Sequence, residues 1–165
     1  MPKGAYILLG KPERVYHIVI GVLSPLLQIA VLVWLAVMFR DLPDKVPTHY
    51  DFSGEVTGWG GKGTLWMLPL IGLAVDIGMW GAQFLPRSAM NTGVRMTARN
   101  SEYVYGCAKD LMVDIRFGLS ALFASMSVPL IRGREPGTVS WIIVAAAIIV
   151  PVVRYAVRVS KAKYL

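Results

Sequence analysis

The sequence has little charge, one cysteine and two histidines. Charged residues make up 16% of its 165 residues and hydrophobic residues 55%, whereas an ordinary soluble domain carries about 25% charged residues. The single cysteine, Cys107, excludes an intrachain disulfide framework and a zinc site built from cysteines. A mean hydropathy of +0.55 then indicates a membrane protein, and the length suggests one domain.

Four long apolar runs occupy most of the sequence. They lie at about 15–39, 64–84, 112–131 and 138–157, and each is close to the roughly 20 residues that a helix needs to cross the hydrocarbon core. We therefore expect an all-α fold, a four-helix transmembrane bundle forming a single integral domain over 1–165. Apolar residues at helical spacing also predict a cytoplasmic extension of the third helix at about 101–111, which Asn100 or Ser101 can cap.

Basic residues are distributed unequally between the two sides that four spans define. Ten lie on the side of the termini and the second connection, namely Lys3, Lys11, Arg14, Arg87, Arg95, Arg99, Lys109, Arg158, Lys161 and Lys163. Five lie on the other side, namely Arg40, Lys45, Lys62, Arg132 and Arg134. Because Lys and Arg are retained on the cytoplasmic side, we expect both termini in the cytoplasm and a multi-pass protein of the cell membrane. This pattern explains the net charge of +7, so no nucleic-acid partner is expected.

Four charged residues fall inside the apolar runs, namely Asp76, Asp114, Arg116 and Arg154. Asp76, Arg116 and Arg154 lie at similar depths by helical rise, and a central Asp costs about 3 kcal/mol on insertion scales. We hypothesise an ion pair of Asp76 with Arg116 or with Arg154. The alternative is that the three residues belong to an ion path in a transporter or channel subunit.

Small residues recur on the second and third spans. They are Gly72, Gly78, Gly81, Ala82, Gly118, Ala121, Ala124 and Ser125. Such residues let helices approach closely. They also leave room for a homo-oligomer in the lipid bilayer.

The connection between the first two spans has a different character. Residues 42–62 read LPDKVPTHYDFSGEVTGWGGK, which is polar and rich in glycine and proline. Pro43 and Pro47 favour an extended entry, and the glycines permit tight turns. We expect a structured loop folded over the outer ends of the spans.

The chemistry open to this loop is limited. Lys62 is followed by Gly63 rather than Ser or Thr, so the phosphate-binding P-loop pattern is not met. His49, Asp51 and Glu55 match no established metal-ligand spacing. No cofactor is expected, and enzymatic activity is disfavoured because no nucleophile stands out beside His49 and Asp51, although a membrane enzyme built around His49 stays an alternative.

The loop resembles a known family at a defined set of positions. These are Leu42, Pro43, Val46, Pro47, His49, Tyr50, Asp51, Gly54, Thr57, Gly58, Trp59, Gly60 and Lys62. The family is a bacterial and archaeal membrane domain of unknown function, which also forms the N-terminal part of SdpI-type toxin-immunity proteins. The resemblance implies a membrane fold and, as possible partners, a toxic peptide or a transcriptional regulator held at the membrane.

Taken together, these observations favour recognition at the outer face. We expect the chain to sense or neutralise a membrane-active peptide or other ligand, with His49, Asp51, Trp59 and Lys62 as the candidate ligand-binding residues. A rigid loop that only caps the bundle is the structural alternative, because patterned loops also serve packing.

Overall fold

The computed structural model describes residues 12–51, 53, 55–86, 89, 91–95 and 97–162, the first three by their backbone alone. Several residues used in the sequence analysis lie outside this part, namely Lys3, Lys11, the side chain of Arg14, Gly54, Arg87 and Lys163. The described chain contains helices α1 (Pro12–Met38), α2 (Met67–Ala82), α3 (Ser101–Ile131) and α4 (Thr138–Lys161). Strands β1 (Lys45–Tyr50) and β2 (Val56–Gly61), followed by a 3-10 turn (Lys62–Trp66), connect α1 to α2.

All four helices are long and apolar enough to cross a membrane, so the chain is a multi-pass membrane protein and the expected fold class is confirmed. The second span begins in the 3-10 turn at Lys62 and ends at Ala82. The third is one unbroken helix of 31 residues. Large apolar side chains such as Ile18, Ile77 and Ile142 are exposed on the outside of the bundle, where lipid would cover them.

Helix α3 is the centre of the bundle, because it packs against each of the other three helices. Two glycines mark the closest approaches. A Cβ added at Gly118 would lie 2.7 Å from the carbonyl oxygen of Ala147 on α4, and one at Gly72 would lie 2.8 Å from Phe123 on α3. Gly78 and Gly81, which were also expected at helix contacts, have nothing within 4 Å of that position.

The connection between α1 and α2 is an antiparallel hairpin of β1 and β2, in which Lys45 is opposite Gly61 and Tyr50 is opposite Val56. Its buried residue Val46 belongs to an apolar cluster that includes Leu35 of α1 and Ile131 of α3. The hairpin is therefore docked on the end of the bundle. The sequence analysis predicted a folded loop but did not predict the strands.

The start of α3 differs from the sequence prediction in the role of Asn100. Asn100 precedes the helix, but its side chain does not cap it. Its Oδ1 accepts from the backbone N–H of Thr97 at 2.8 Å, and its Nδ2 donates to the carbonyl of Ala162 at 3.4 Å. The amide therefore joins the end of α4 to the connection before α3. Because these hydrogen bonds use the side chain, it is not available to cap α3.

Candidate functional site

Three of the four candidate residues, namely His49, Asp51 and Trp59, are exposed. The Trp59 side chain is 64% exposed, and His49 is exposed on the neighbouring strand. A Cβ added at Gly58 would lie 2.9 Å from Nδ1 of His49, so the imidazole packs directly over this glycine. The hydroxyl of Thr48 lies 3.1 Å from the same nitrogen. His49 is thus held in place while it remains open to a ligand.

Asp51 closes the turn of the hairpin. Its Oδ1 accepts hydrogen bonds from the backbone N–H of Ser53 at 2.9 Å, the hydroxyl of Ser53 at 2.7 Å and the backbone N–H of Glu55 at 2.9 Å. The backbone N–H of Asp51 also donates to the carbonyl of Glu55 at 3.0 Å. An Asp that accepts from the backbone two residues on is typical of a turn, so this carboxylate shapes the hairpin.

Lys62 fixes the base of the hairpin. Its Nζ donates to the carbonyl of Leu42 at 3.3 Å, lies 3.1 Å from Oδ1 of Asp44 and sits 5.4 Å from the ring centroid of Phe39. These contacts connect the end of β2 to the end of α1. Asp51 and Lys62 therefore hold the hairpin, although Asp51 is also exposed, whereas His49 and Trp59 present exposed rings to the surroundings.

The hairpin also meets the connection between α3 and α4. The hydroxyl of Tyr50 is buried and has no hydrogen-bond partner among the described residues. Burial raises the pKa of Tyr50, and the negative charge of Glu135 raises it further. The phenol thus stays neutral at ordinary pH.

Inside the bundle, Arg116 is the partner that contacts Asp76. Its Nε donates to Oδ1 at 2.8 Å and its Nη2 donates to Oδ2 at 2.7 Å, so the pair has two parallel hydrogen bonds. The side chains are 4% and 1% exposed. Nη2 also donates to the carbonyl of Gly21 on α1 at 3.0 Å. The pair therefore joins three helices.

Neutral side chains complete this centre. The hydroxyl of Ser24 on α1 donates to Asp76 and lies 3.0 Å from the hydroxyl of Ser120 on α3. Gln28 donates to the carbonyl of Ser120 at 2.6 Å. Its Oε1 is buried without a partner among the described residues. Apart from that one acceptor, the polar groups around Asp76 are satisfied within the protein.

Arg154, the other partner considered for Asp76, contacts Asp114 instead. Its Nη1 lies 2.9 Å from Oδ2 of Asp114, and the hydroxyl of Tyr16 donates to the same carboxylate. Asp110, one turn earlier on α3, contacts Arg158 of α4 and lies 2.5 Å from Nε2 of His17. Three aspartate–arginine pairs therefore connect the helices, two of them between α3 and α4.

The sequence analysis missed the two pairs between α3 and α4, although a signal exists. Asp110 and Asp114 are four residues apart, and so are Arg154 and Arg158. Residues four apart share a face of a helix. Two antiparallel helices with matching acidic and basic spacings can thus form both pairs in one register.

The charged pairs and the apolar cluster under the hairpin occupy different halves of the core. The charged pairs lie in the half of the bundle that contains the start of α1, the start of α3 and the end of α4, and they extend to the level of Gln28. Beyond Gln28, the core is the apolar cluster of Val31, Leu35 and Ala124 beneath the hairpin. Among the described residues, no three His, Cys, Asp or Glu side chains are placed to hold one metal ion.

Comparison with known proteins finds a family match for part of the chain. Residues 26–73 match the family model of a domain of unknown function, DUF1648, which confirms the expected resemblance to such a domain. The match spans the second half of α1, the whole hairpin and the first part of α2. No curated protein and no solved structure gives a significant match. The link to SdpI-type proteins stays a prediction.

Proposed function

We propose that this chain is a recognition protein of the cell membrane, which binds a membrane-active peptide at the outer face through its hairpin. The observation that carries the proposal is the presentation of His49 and Trp59 on a hairpin that is fixed to the bundle. In this function the helices form the platform, and binding protects the membrane or signals the presence of the peptide.

The rigidity of the hairpin supports this function. Val46 is buried among the helix ends, Lys62 ties β2 to α1, and Asp51 closes the turn. A surface that is ordered before binding loses less conformational entropy when a ligand arrives. The domain match includes the whole hairpin and ends before Asp76, which supports a role for the hairpin over one for the charged centre.

The exposed chemistry suits an amphipathic peptide. Trp is enriched among the residues that dominate binding energies, and Trp59 offers most of its ring. His49 adds an imidazole whose two ring nitrogens can form hydrogen bonds. The described sheet has only two strands, so an extended peptide can add to an edge.

Ion transport through Asp76, Arg116 and Arg154 has weaker support. Each charge in this set has an oppositely charged partner, and the apolar cluster under the hairpin follows the polar half of the core. For an ion to cross the bundle, at least one of these ion pairs would have to break and a path through the apolar cluster would have to open. Proton flux into liposomes that disappears in Asp76→Asn would support transport over recognition.

The scarcity of cysteine gives a direct test of orientation. Cys107 is 2% exposed, so an impermeant maleimide applied to intact cells should label an added cysteine only when it faces outward. We expect labelling of Thr57→Cys on β2 and no labelling of Ser160→Cys near the end of α4, both of which are exposed positions. The reverse pattern would contradict an outer hairpin.

Recognition is tested by binding and protection together. The full chain in liposomes is titrated with a panel of fluorescent membrane-active peptides, and sensitive cells expressing it are challenged with the same panel. We expect His49→Ala with Trp59→Ala to abolish binding and protection, while Thr57→Ala, an exposed neighbour on β2, retains both. Equal binding and survival in all variants and in cells without the protein would refute the function.

A further inference from the structure

A long groove lies on the side of the bundle where α1 and α4 both pack against α3. Its upper part, near the hairpin, is a cavity of about 760 Å³ lined by residues that include Leu27, Ala121, Val128 and Ile143. Its lower part is a cavity of about 400 Å³. Both parts share Ala121 and Ile143 as lining residues, so they form one continuous groove.

The length of the upper part matches one leaflet of a bilayer. On α3 its lining runs from Ala121 to Arg132, which is about 16 Å of helical rise. Half of a hydrocarbon core of about 30 Å is roughly 15 Å. An acyl chain that entered at the end with Arg132 would thus reach the middle of the membrane at Ala121.

The charge at the open end is positive. Arg132 and Arg134 line this end together with Glu135, and among the described residues neither arginine forms an ion pair with an acid. The guanidinium of Arg132 lies 5.4 Å from the ring centroid of Trp34 on α1. One of the two cations is therefore held in position where a headgroup phosphate would lie.

The opposite end is closed by side chains. Tyr16 of α1 and Arg154 of α4 are 3.3 Å apart, and both contact Asp114. A transmembrane helix of a second copy, with a diameter of about 10 Å, would meet this bridge before it had crossed the bilayer. A lipid chain from one leaflet would end before reaching it.

From this geometry we propose that the groove binds a glycerophospholipid with an anionic headgroup, one acyl chain lying between α1 and α4 and the phosphate at Arg132 and Arg134. The small side chains of Ala121 and Ser125 make room for the chain. This site is separate from the exposed surface of the hairpin, and the proposal does not depend on peptide recognition.

Native mass spectrometry of the purified full chain tests the proposal. The protein is titrated with phosphatidylglycerol and with phosphatidylcholine of the same acyl chains. We expect preferential retention of phosphatidylglycerol, and a loss of this binding by about tenfold or more in Arg132→Gln with Arg134→Gln. Arg134→Gln alone keeps the contact between Arg132 and Trp34 and should give an intermediate loss.

A second variant distinguishes binding of the acyl chain in the groove from binding of the headgroup at the arginines. Ala121→Leu fills the point that both cavities share and should weaken binding of either lipid. Two exposed positions outside the groove serve as controls, Arg40→Gln and Ala36→Leu, and both should bind like the unmodified chain. Melting temperatures in detergent identify any variant that fails to fold. If one of the other variants fails, the loss of phosphatidylglycerol binding in Arg134→Gln alone tests the proposal.

Two results would overturn the proposal. The first is equal retention of the two lipids with no effect of the arginine substitutions. The second is a dimer of the unmodified chain that Ala121→Leu dissociates without any loss of bound lipid, which would assign the groove to a second copy. Retention of the anionic lipid that falls with both kinds of substitution would support it.

Discussion

Asp76 and Arg116 bind each other through two hydrogen bonds at the centre of the bundle, and both side chains are almost completely buried. Burying two charges costs desolvation energy that good geometry and further hydrogen bonds must offset. Ser24 and Ser120 supply those bonds to the carboxylate. The pair and its hydrogen bonds therefore connect α1, α2 and α3 and fix how these helices pack together.

Removing the charge of Asp76 should destabilise the protein strongly. In Asp76→Asn the guanidinium of Arg116 stays buried without a counter-charge, so we expect the free energy of unfolding to fall by about 3–5 kcal/mol. Unfolding of the purified protein by titration with a denaturing detergent measures this change.

Two controls accompany that measurement. Asp44→Asn removes an exposed carboxylate that contacts Lys62 and should have little effect, because exposed ion pairs are weak. Replacing both partners, as Asp76→Leu with Arg116→Met, should recover part of the loss. An Asp76→Asn protein as stable as the unmodified chain would contradict the structural role of the pair.

The contact between Gly118 and Ala147 predicts a sharp difference between two glycine substitutions. In Gly118→Ala the new methyl group would lie 2.7 Å from the carbonyl oxygen of Ala147, so α4 must move and we expect a loss of about 1–3 kcal/mol. Gly78→Ala has nothing within 4 Å and should cause no loss. Equal stabilities of the two variants in the same unfolding assay would contradict close packing of α3 and α4.

Gln28 gives a prediction of the opposite kind. Its Nε2 donates to the carbonyl of Ser120, but its Oε1 is buried without a partner among the described residues. In Gln28→Met the lost hydrogen bond is offset by removal of that desolvated acceptor, so we expect a change below about 1 kcal/mol. A loss as large as that of Asp76→Asn would show that Oε1 has an important partner.

Asp51 should control the order of the hairpin rather than that of the helices. Asp51→Ala removes an acceptor of three hydrogen bonds at the turn, so amide hydrogen exchange of peptides from 42–62 should become faster. Exchange of peptides from α3 should not change, and Thr57→Ala should leave the hairpin protected. Unaltered exchange over 42–62 in Asp51→Ala would mean that the turn does not need this carboxylate.

The helices could be predicted because long apolar runs have few other possible structures in a bilayer. The hairpin strands could not be predicted in the same way. Pro47 lies inside β1, and β2 contains three glycines in six residues, although both residue types are depleted in strands. Tertiary contacts, above all the burial of Val46 against the helix ends, stabilise this hairpin.

The candidate site was predicted in part. The patterned loop and its family resemblance suggested Lys62 as a ligand-binding residue, and its contacts with Leu42 and Asp44 give it a role in holding the hairpin. Depth by helical rise placed both arginines near Asp76, and it could not choose between them. That choice depends on the rotation of each helix about its axis, which places Arg154 beside Asp114.

The aspartate–arginine pairs have a consequence for biosynthesis. Asp110 and Asp114 are translated before α4, whose Arg158 and Arg154 neutralise them. Until the last helix enters the membrane, these two carboxylates of α3 lack their arginine partners. Insertion of α4 is thus the step of biosynthesis at which the charges of Asp110 and Asp114 become balanced.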